Sequence, residues 1–403
     1  MVRFRPFNAY LPNLNGRESI LERISPPYDV IEGTELIRLK SKPYNVAKIT
    51  LGRYVGDYGM ASEEFADWIS KRVIVKDERE SYYLYHQSFE IDGRRYSRIG
   101  IIGLLGLEEY GEGGVIPHEE TNPKVKEDRL NLLRATATDT ESIFGLIDDW
   151  GKCAPDKIEK SAHKLFECQD DSGTLHSISR ISDPTVTNDM TNLISGKRIL
   201  IADGHHRYET ALRYSKEAPG IEGRKWVLAT LASSKDPGLV VFPTHRLLKA
   251  PKITEEEMVE TMRIHFNLER TSGIDVLRNA IQEADRPSLG VVFRSGSAYK
   301  AELAGSAGND PMCEIDSFVF QEVMLKKVIY AIARPEEVTI DYDHDASSVE
   351  SKMTSGAYDM SVLLRPPKLT TIWKLAASGR RMPKKTTYFW PKIWSGFVFY
   401  RMA

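Results

Sequence analysis

The residues best equipped for chemistry stand in one short run, Asp203-Gly204-His205-His206-Arg207. An apolar stretch, Ile199 to Ala202, precedes it and reads as a buried strand, and Asp203-Gly204 reads as a tight turn. From His206 onward the spacing is helical: Tyr208, Ala211, Leu212 and Ser215 share one face, and Arg207, Thr210 and Tyr214 another. Two histidines and an arginine therefore fall where a strand becomes the first turn of a helix. Such a place offers backbone N–H groups and a positive dipole end, which suits a phosphate. Gly204 lets backbone approach a ligand closely. Arg207 can clamp phosphate oxygens in a fork. The plainer alternative is a structural turn in which His205 only caps the helix.

Other runs carry candidate groups. Pro117-His118-Glu119-Glu120-Thr121 puts a histidine beside two carboxylates ahead of a charged helix, so His118 and Glu119 could act as acid or base and Glu119 and Glu120 could bind a metal. The same run also reads as a solvated helix start, acidic where the dipole favours it. Thr244-His245-Arg246 closes an apolar strand, and strand tips are frequent ligand positions in α/β folds. Asp341, Asp343, His344 and Asp345 have carboxylates at alternate positions without calcium-loop spacing. Lys384, Lys385 and Lys392 lie among aromatics, which themselves read as a packed C-terminal strand.

The elements that must position these groups follow from pattern. Ser25-Pro26-Pro27-Tyr28-Asp29 is a rigid segment. A helix is expected over 61–72 and a hairpin over 82–107, turning at Asp92-Gly93. Further helices are expected in the later part of 118–138, over 155–167 and over 184–194, with a strand at 142–147 and a second hairpin turning near 171–173. Residues 238–247 read as one apolar strand. Beyond Pro251 come helices at 254–266, 273–284 and 316–333 and strands at 289–294 and 338–345. The rings Tyr388, Phe389, Trp390 and Trp394 are too apolar for a free tail.

A chain of 403 residues with 41% hydrophobic and 28% charged residues can bury a sizeable core and divide into domains. The net charge of −2 offers no global field for nucleic acid. Cys153, Cys168 and Cys313 are sparse and lack C-x-x-C spacing, which fits a reducing cytoplasm and neither a zinc knuckle nor a disulfide frame. No signal core and no membrane span of about 20 apolar residues stands out. Walker, Rossmann, nucleophile-elbow and H-E-x-x-H signatures are absent from the sequence.

Read together, the motifs resemble a prokaryotic family known as domain of unknown function 1015. They are Pro26-Pro27-Tyr28-Asp29-Val30-Ile31, Pro117-His118-Glu119 with Thr121, Lys126-Glu127-Asp128-Arg129-Leu130, the run Ala202 to Leu212, Pro243-Thr244-His245-Arg246-Leu247 and Met382-Pro383-Lys384-Lys385-Thr386-Thr387-Tyr388-Phe389. A second likeness, over about 170–220, joins the Asp203–Arg207 turn to the G-x-H-R-type box of the ParB/sulfiredoxin superfamily. That group includes sulfiredoxin, CTP-binding ParB proteins and the archaeal free-serine kinase, and it binds nucleotide phosphates at this turn.

This likeness implies that Gly204, His206 and Arg207 hold phosphates; Thr210, on the same helix, and His245 and Arg246, at the strand tip, are expected as further nucleotide contacts. It also implies that Asp203 lies beside the transferring phosphoryl group or an acceptor hydroxyl, while His205, His118 and Glu119 are expected from their residue types to serve the reaction. No cysteine beside the turn supports sulfinic-acid repair, and no basic helix-turn-helix supports DNA partitioning. The expectation is an α/β (mixed α+β) protein. A ParB/sulfiredoxin-like nucleotide-binding core would lie within residues 1–250, and an additional α+β domain over 251–403. The expected activity is Mg²⁺-assisted phosphoryl transfer between ATP or ADP and a small hydroxy compound, with serine or phosphoserine foremost. A phosphohydrolase and a nucleotide-sensing binding protein are the alternatives.

Overall fold

Asp92 and Gly93 sit at φ +50° and +74°, the two positive angles that a type I′ turn demands. They join β1 (Tyr82–Ile91) to β2 (Arg94–Gly106), in register from Tyr83 opposite Ile102 to Ile91 opposite Arg94. The computed structural model describes residues 1–14, 16, 18–52, 56–151, 155–305 and 310–402. Cys153 lies outside the described residues.

The protein is mixed α/β and forms two compact units. The first comprises residues 1–117, 121–240 and 391–403, and the second 118–120 and 241–390. The division falls at 240/241 rather than at 250, because residues 245–249 pair into the second unit's sheet.

The first unit is built on a large mixed sheet. Its remaining strands are β3 (Val115–Ile116), β4 (Ile143–Ile147), β5 (His163–Gln169), β6 (Leu175–Ile181), β7 (Ile199–Asp203) and β8 (Trp226–Ser233). Their order is β3-β7-β4-β8-β2-β1-β6-β5, with the short strand Phe4–Arg5 also on β2. Apolar runs buried on both faces suit central strands, and every residue of β8 and Ile199 to Ala202 of β7 are buried. Residues 161–167 do not continue the helix Pro155–Lys160: His163–Gln169 pairs as an edge strand with β6. The Asp170 carboxylate accepts the N–H groups of Ser172 and Thr174 and fixes that turn, so pairing overrides local helix propensity.

Two helices carry the site. α1 (Pro123–Thr136) starts where the Asn122 side chain accepts the Lys124 N–H, with Pro123 in the first turn, and stops at Ala137, whose φ is +47°. α2 (His205–Glu217) follows β7 directly and packs against α1. The C-terminal residues return to this unit: Ser395 pairs with Ser25, Phe399 with Tyr10 and Tyr400 with Asp139. Phe399 joins Val46, Ile49, Phe65, Trp68 and Leu132 in one apolar cluster, so this end of the chain is packed.

The second unit holds a six-stranded antiparallel sheet of β9 (His245–Lys249), β10 (Phe266–Thr271), β11 (Ser288–Phe293), β12 (Ala298–Leu303), β13 (Thr339–Asp343) and β14 (Met360–Leu363). The order is β10-β12-β11-β14-β9-β13. Residues 238–247 are not one strand. Val240–Phe242 ends at Pro243, which cannot donate to a ladder, and β9 begins two residues later. The helices Glu255–His265 and Ile274–Gln282 match their periodicity. The helical stretch from Asp316 to Ile332 is π-type over Phe320–Ile329. No helix among the described residues is long and apolar enough to cross a membrane.

Candidate functional site

β7 delivers Asp203 to the turn through an irregularity. Its register against β4 slips between Ile201 and Asp203, which leaves Asp203 opposite Phe144. A slip of this kind re-aims a side chain at the end of a strand. Gly204 then adopts φ +91° and ψ 26° and serves as N-cap of α2 without a side-chain cap. The helix thus starts without a side-chain cap from its N-cap residue, beside the Asp203 carboxylate.

Asp203 is gripped from both sides. Lys392 Nζ lies 2.8 Å from its Oδ2, and Arg207 Nη2 lies 3.7 Å from its Oδ1. Burial works to raise the Asp203 carboxyl, but Lys392, Arg207 and His205 outweigh it and hold the group well below the usual carboxylate range. Arg207 is itself largely buried and donates from Nη1 to the Ser142 carbonyl at 2.5 Å. Burial disfavours its charge. Glu141, Asp203, Asp29 and Tyr28 overcome that and raise its pKa.

Those partners bring three separated motifs to one place. The Tyr28 N–H donates to Glu141 Oε1 at 2.9 Å, and the Ser395 hydroxyl donates to the same oxygen at 3.2 Å. The Arg129 guanidinium lies 4.3 Å from the Tyr28 ring centre and donates to Asp128 and to the Thr50 carbonyl. Arg129, Asp139, Glu141, Arg207 and Thr210 line a small cavity of about 30 Å³. Asp139 and Glu141 are 8% and 6% exposed, so two carboxylates are buried beside Arg207. Sequence reasoning had no claim on Asp139 or Glu141. The available signal was Asp139-Thr140-Glu141 directly before an apolar strand, where acidic residues are rarely buried without a partner.

The rest of α2 faces α1. His206 Nε2 accepts the Asn122 N–H at 2.7 Å, which places its own proton on Nδ1. Glu209 Oε2 accepts from the Thr121 hydroxyl at 2.8 Å and from Lys126 Nζ at 2.9 Å. Thr210, 1% exposed, donates to the Lys126 carbonyl at 3.4 Å. His205 is buried.

The remaining sequence candidates belong to the second unit. His118 is fully buried with its Nε2 3.0 Å from the Thr387 hydroxyl, and its carbonyl accepts the Met382 N–H. Glu119 Oε1 accepts the Lys385 N–H at 2.8 Å, and the Glu120 N–H donates to the Met382 carbonyl. His245 is 4% exposed and its Nδ1 accepts the Leu364 N–H; burial pushes its pKa down to about 4, so the ring is neutral. Arg246 donates to the Thr244 and Lys385 carbonyls and lies near the Phe320 and Tyr342 rings. His118, Glu119, Arg246 and the Met382–Thr387 loop are therefore brought together. Asp341 and Asp343 accept from Tyr358, Ser348 and Lys352. Among the described residues, no three His, Cys, Asp or Glu side chains gather into a metal-binding group.

The turn's dependence on glycine is directly testable. A Cβ on Gly204 would lie 3.0 Å from Arg207 Nε and Nη2 and would require a left-handed backbone. Gly204→Ala should destabilise by about 1–2 kcal/mol and displace the guanidinium. Urea unfolding measures the first effect and phosphate titration the second. An unchanged unfolding midpoint would contradict this turn geometry.

A family model described as a protein of unknown function (DUF1015) matches residues 4–318. No curated protein matches the chain. Among solved structures, the chain is similar to a conserved hypothetical protein from Pyrococcus furiosus, with 13% identity, 70% of this chain and 89% of that one covered, and a TM-score of 0.39. It is also similar to free serine kinase in complex with AMP, with 12% identity, 70% and 93% covered, and a TM-score of 0.40. A C-terminally truncated SbnI from Staphylococcus aureus gives 10% identity, 72% and 84% covered, and a TM-score of 0.37. Likenesses this distant carry no argument about the present chain.

Proposed function

We propose, for a chain that belongs to the DUF1015 family, that the Asp203–Arg207 turn holds nucleotide phosphates and serves phosphoryl transfer to a small hydroxy compound. The observation that carries this reading is the start of α2, where Gly204 at φ +91° takes the N-cap position and a largely buried arginine follows within the first turn. Helix N-termini attract anions through oriented N–H groups and the dipole. A guanidinium beside them adds a two-pronged contact.

Phosphoryl transfer needs charge neutralisation and alignment more than covalent help. Gly204, His205 and His206 supply backbone at the helix start, and Arg207 supplies the positive charge. Asp203 stays ionised and orients the acceptor hydroxyl. As the bond from phosphorus to the bridging oxygen of ATP or ADP breaks, the hydroxyl oxygen bonds to phosphorus and its proton passes to a carboxylate. Asp29 is exposed and close enough to influence Arg207, so it is the carboxylate of the first unit proposed to take that proton. Serine or phosphoserine is the preferred substrate, a choice drawn from the sequence likeness of the turn to the free-serine kinase box. The protein acts in the cytoplasm, and any Mg²⁺ arrives with the nucleotide.

A thermal-shift screen of nucleotides and amino acids tests this. A ligand that binds only the folded state adds about 2.7 kcal/mol at a hundredfold excess over its Kd. ATP or ADP should stabilise, and incubation with serine should then yield phosphoserine. Phosphate release without an acceptor would instead indicate a hydrolase, and binding without turnover a sensor. No response to any nucleotide would end the proposal.

A further inference from the structure

Lys392 stands 189 residues from Asp203 in the chain, yet its ammonium is 2.8 Å from that carboxylate and its side chain is 11% exposed. Its backbone is fixed by two buried side chains of the central hairpin. Gln87 Nε2 donates to the Lys392 carbonyl at 2.9 Å. Arg98, 1% exposed, donates from Nη2 to Gln87 Oε1 and to the Pro391 carbonyl. Buried Arg98 thus serves as a clamp on the main chain at 391, although burial pushes its pKa down to about 10. Gln87 on β1 and Arg98 on β2 together set where the Lys392 ammonium can reach.

The charges at the turn give this placement a purpose. Asp203 and Glu141 are both carboxylates facing Arg207. Asp29 also acts on Arg207, and Arg129 also opposes Glu141, so without Lys392 three carboxylates would face two guanidinium groups, and like charge repels phosphate. Lys392 restores the balance, so that the positive end of the helix dipole is no longer offset by excess negative charge.

We infer that Lys392 is a positioning residue for the phosphate site, neutralising and aligning Asp203 so that an anion can bind beside it. This rests on the phosphate-site reading above. It makes the site a composite of residues 203–207 and 392, complete only when the C-terminal segment is docked on the first unit.

Calorimetric titration with pyrophosphate and with ADP tests it on the full-length protein, with melting temperatures alongside. Lys392→Met should weaken both ligands about tenfold or more, the loss of one charge-assisted partner. Lys392→Arg should stay near wild type. The double variant Lys392→Met with Asp203→Asn should recover most of the affinity, because the carboxylate that needed neutralising is gone. A lysine with only a structural role would not be rescued in that way.

Wild-type affinity in Lys392→Met, or a double variant as weak as Lys392→Met, would overturn the inference and leave the phosphate site standing. If wild type binds neither ligand, the phosphate-site reading falls and this inference with it. If Lys392→Met does not fold, Asp203→Asn alone decides. It should bind at least as tightly as wild type, and weaker binding would overturn the role assigned to Lys392.

Discussion

Replacing Arg207 with alanine is expected to weaken nucleotide binding and to destabilise the fold together. The affinity loss should be on the order of 1.5–3 kcal/mol, the worth of a hydrogen bond to a charged group. The stability loss has a separate source. Arg207 donates to the Ser142 carbonyl and faces Glu141, which is 6% exposed. Removing the guanidinium leaves the Ser142 carbonyl without this donor and Glu141 with less opposing charge, a cost of about 1–3 kcal/mol.

The pH dependence identifies that source. Burial raises the Glu141 pKa, and Arg207 is the foremost influence opposing it. Without Arg207 the folded-state pKa rises further above its unfolded value. For such a group, stability is full below the unfolded pKa and is lost as pH rises through the folded one. The alanine variant should therefore be weakest at alkaline pH and regain stability on acidification.

Arg207→Lys separates the two effects. It keeps the charge beside Glu141 and loses the fork, so it should melt near wild type yet bind nucleotide more weakly. Calorimetry and melting curves at two pH values measure both. Equal nucleotide affinity in all three proteins would remove the phosphate-site reading.

The strand, turn and helix around Asp203 were legible because three independent signals agree there: the apolar run, the Asp-Gly turn and the 3.6-residue period. The hairpin at Asp92-Gly93 was legible because its turn demands those residues. Partners of the turn were not, because Glu141 and Lys392 lie far from it in the chain and only the sheet brings them near. The helix expected over 155–167 failed for a related reason, since His163–Gln169 takes its conformation from pairing with β6. The break at Pro243 lies in the residue type itself, since proline cannot donate to a ladder, but the apolar run on both sides of it masks the break. The aromatic tail was legible as packed but not as divided: residues up to Trp390 join the second unit and those from Pro391 the first. Aromatic content says that a segment is buried, not against which element. Family-type motifs behaved alike. Pro26–Asp29, Lys126–Arg129 and Asp203–Arg207 converge in the first unit, whereas His118–Glu120, Thr244–Arg246 and Met382–Thr387 belong to the second.

Asp139→Asn is expected to remove a pH dependence of stability that the wild type carries. Asp139 is 8% exposed, and its Oδ2 accepts the Leu228 N–H at 2.9 Å. Burial pushes its carboxyl up to about 7, against the opposing influence of that N–H and of Arg207. An unfolded aspartate titrates near 3.9. Between those values the folded protein holds a proton that the unfolded chain releases. Stability from this group is thus full below about pH 4, falls as pH rises toward 7, and is level above it. The slope is on the order of 1 kcal/mol per pH unit, since one pKa unit corresponds to about 1.4 kcal/mol.

Asparagine keeps an oxygen for the Leu228 N–H and never ionises. It should match wild type near pH 4 and exceed it by up to a few kcal/mol at pH 8. Urea unfolding midpoints from pH 4 to pH 9 test this, and parallel profiles for the two proteins would refute it. The same proton bears on the site. Asp139 lines the small cavity with Arg207 and Glu141, so its ionisation adds negative charge beside the guanidinium that is to hold phosphate. Wild-type affinity for pyrophosphate should therefore decline as pH rises through 7, and the decline should be smaller in Asp139→Asn, in which only the ligand and the remaining groups titrate.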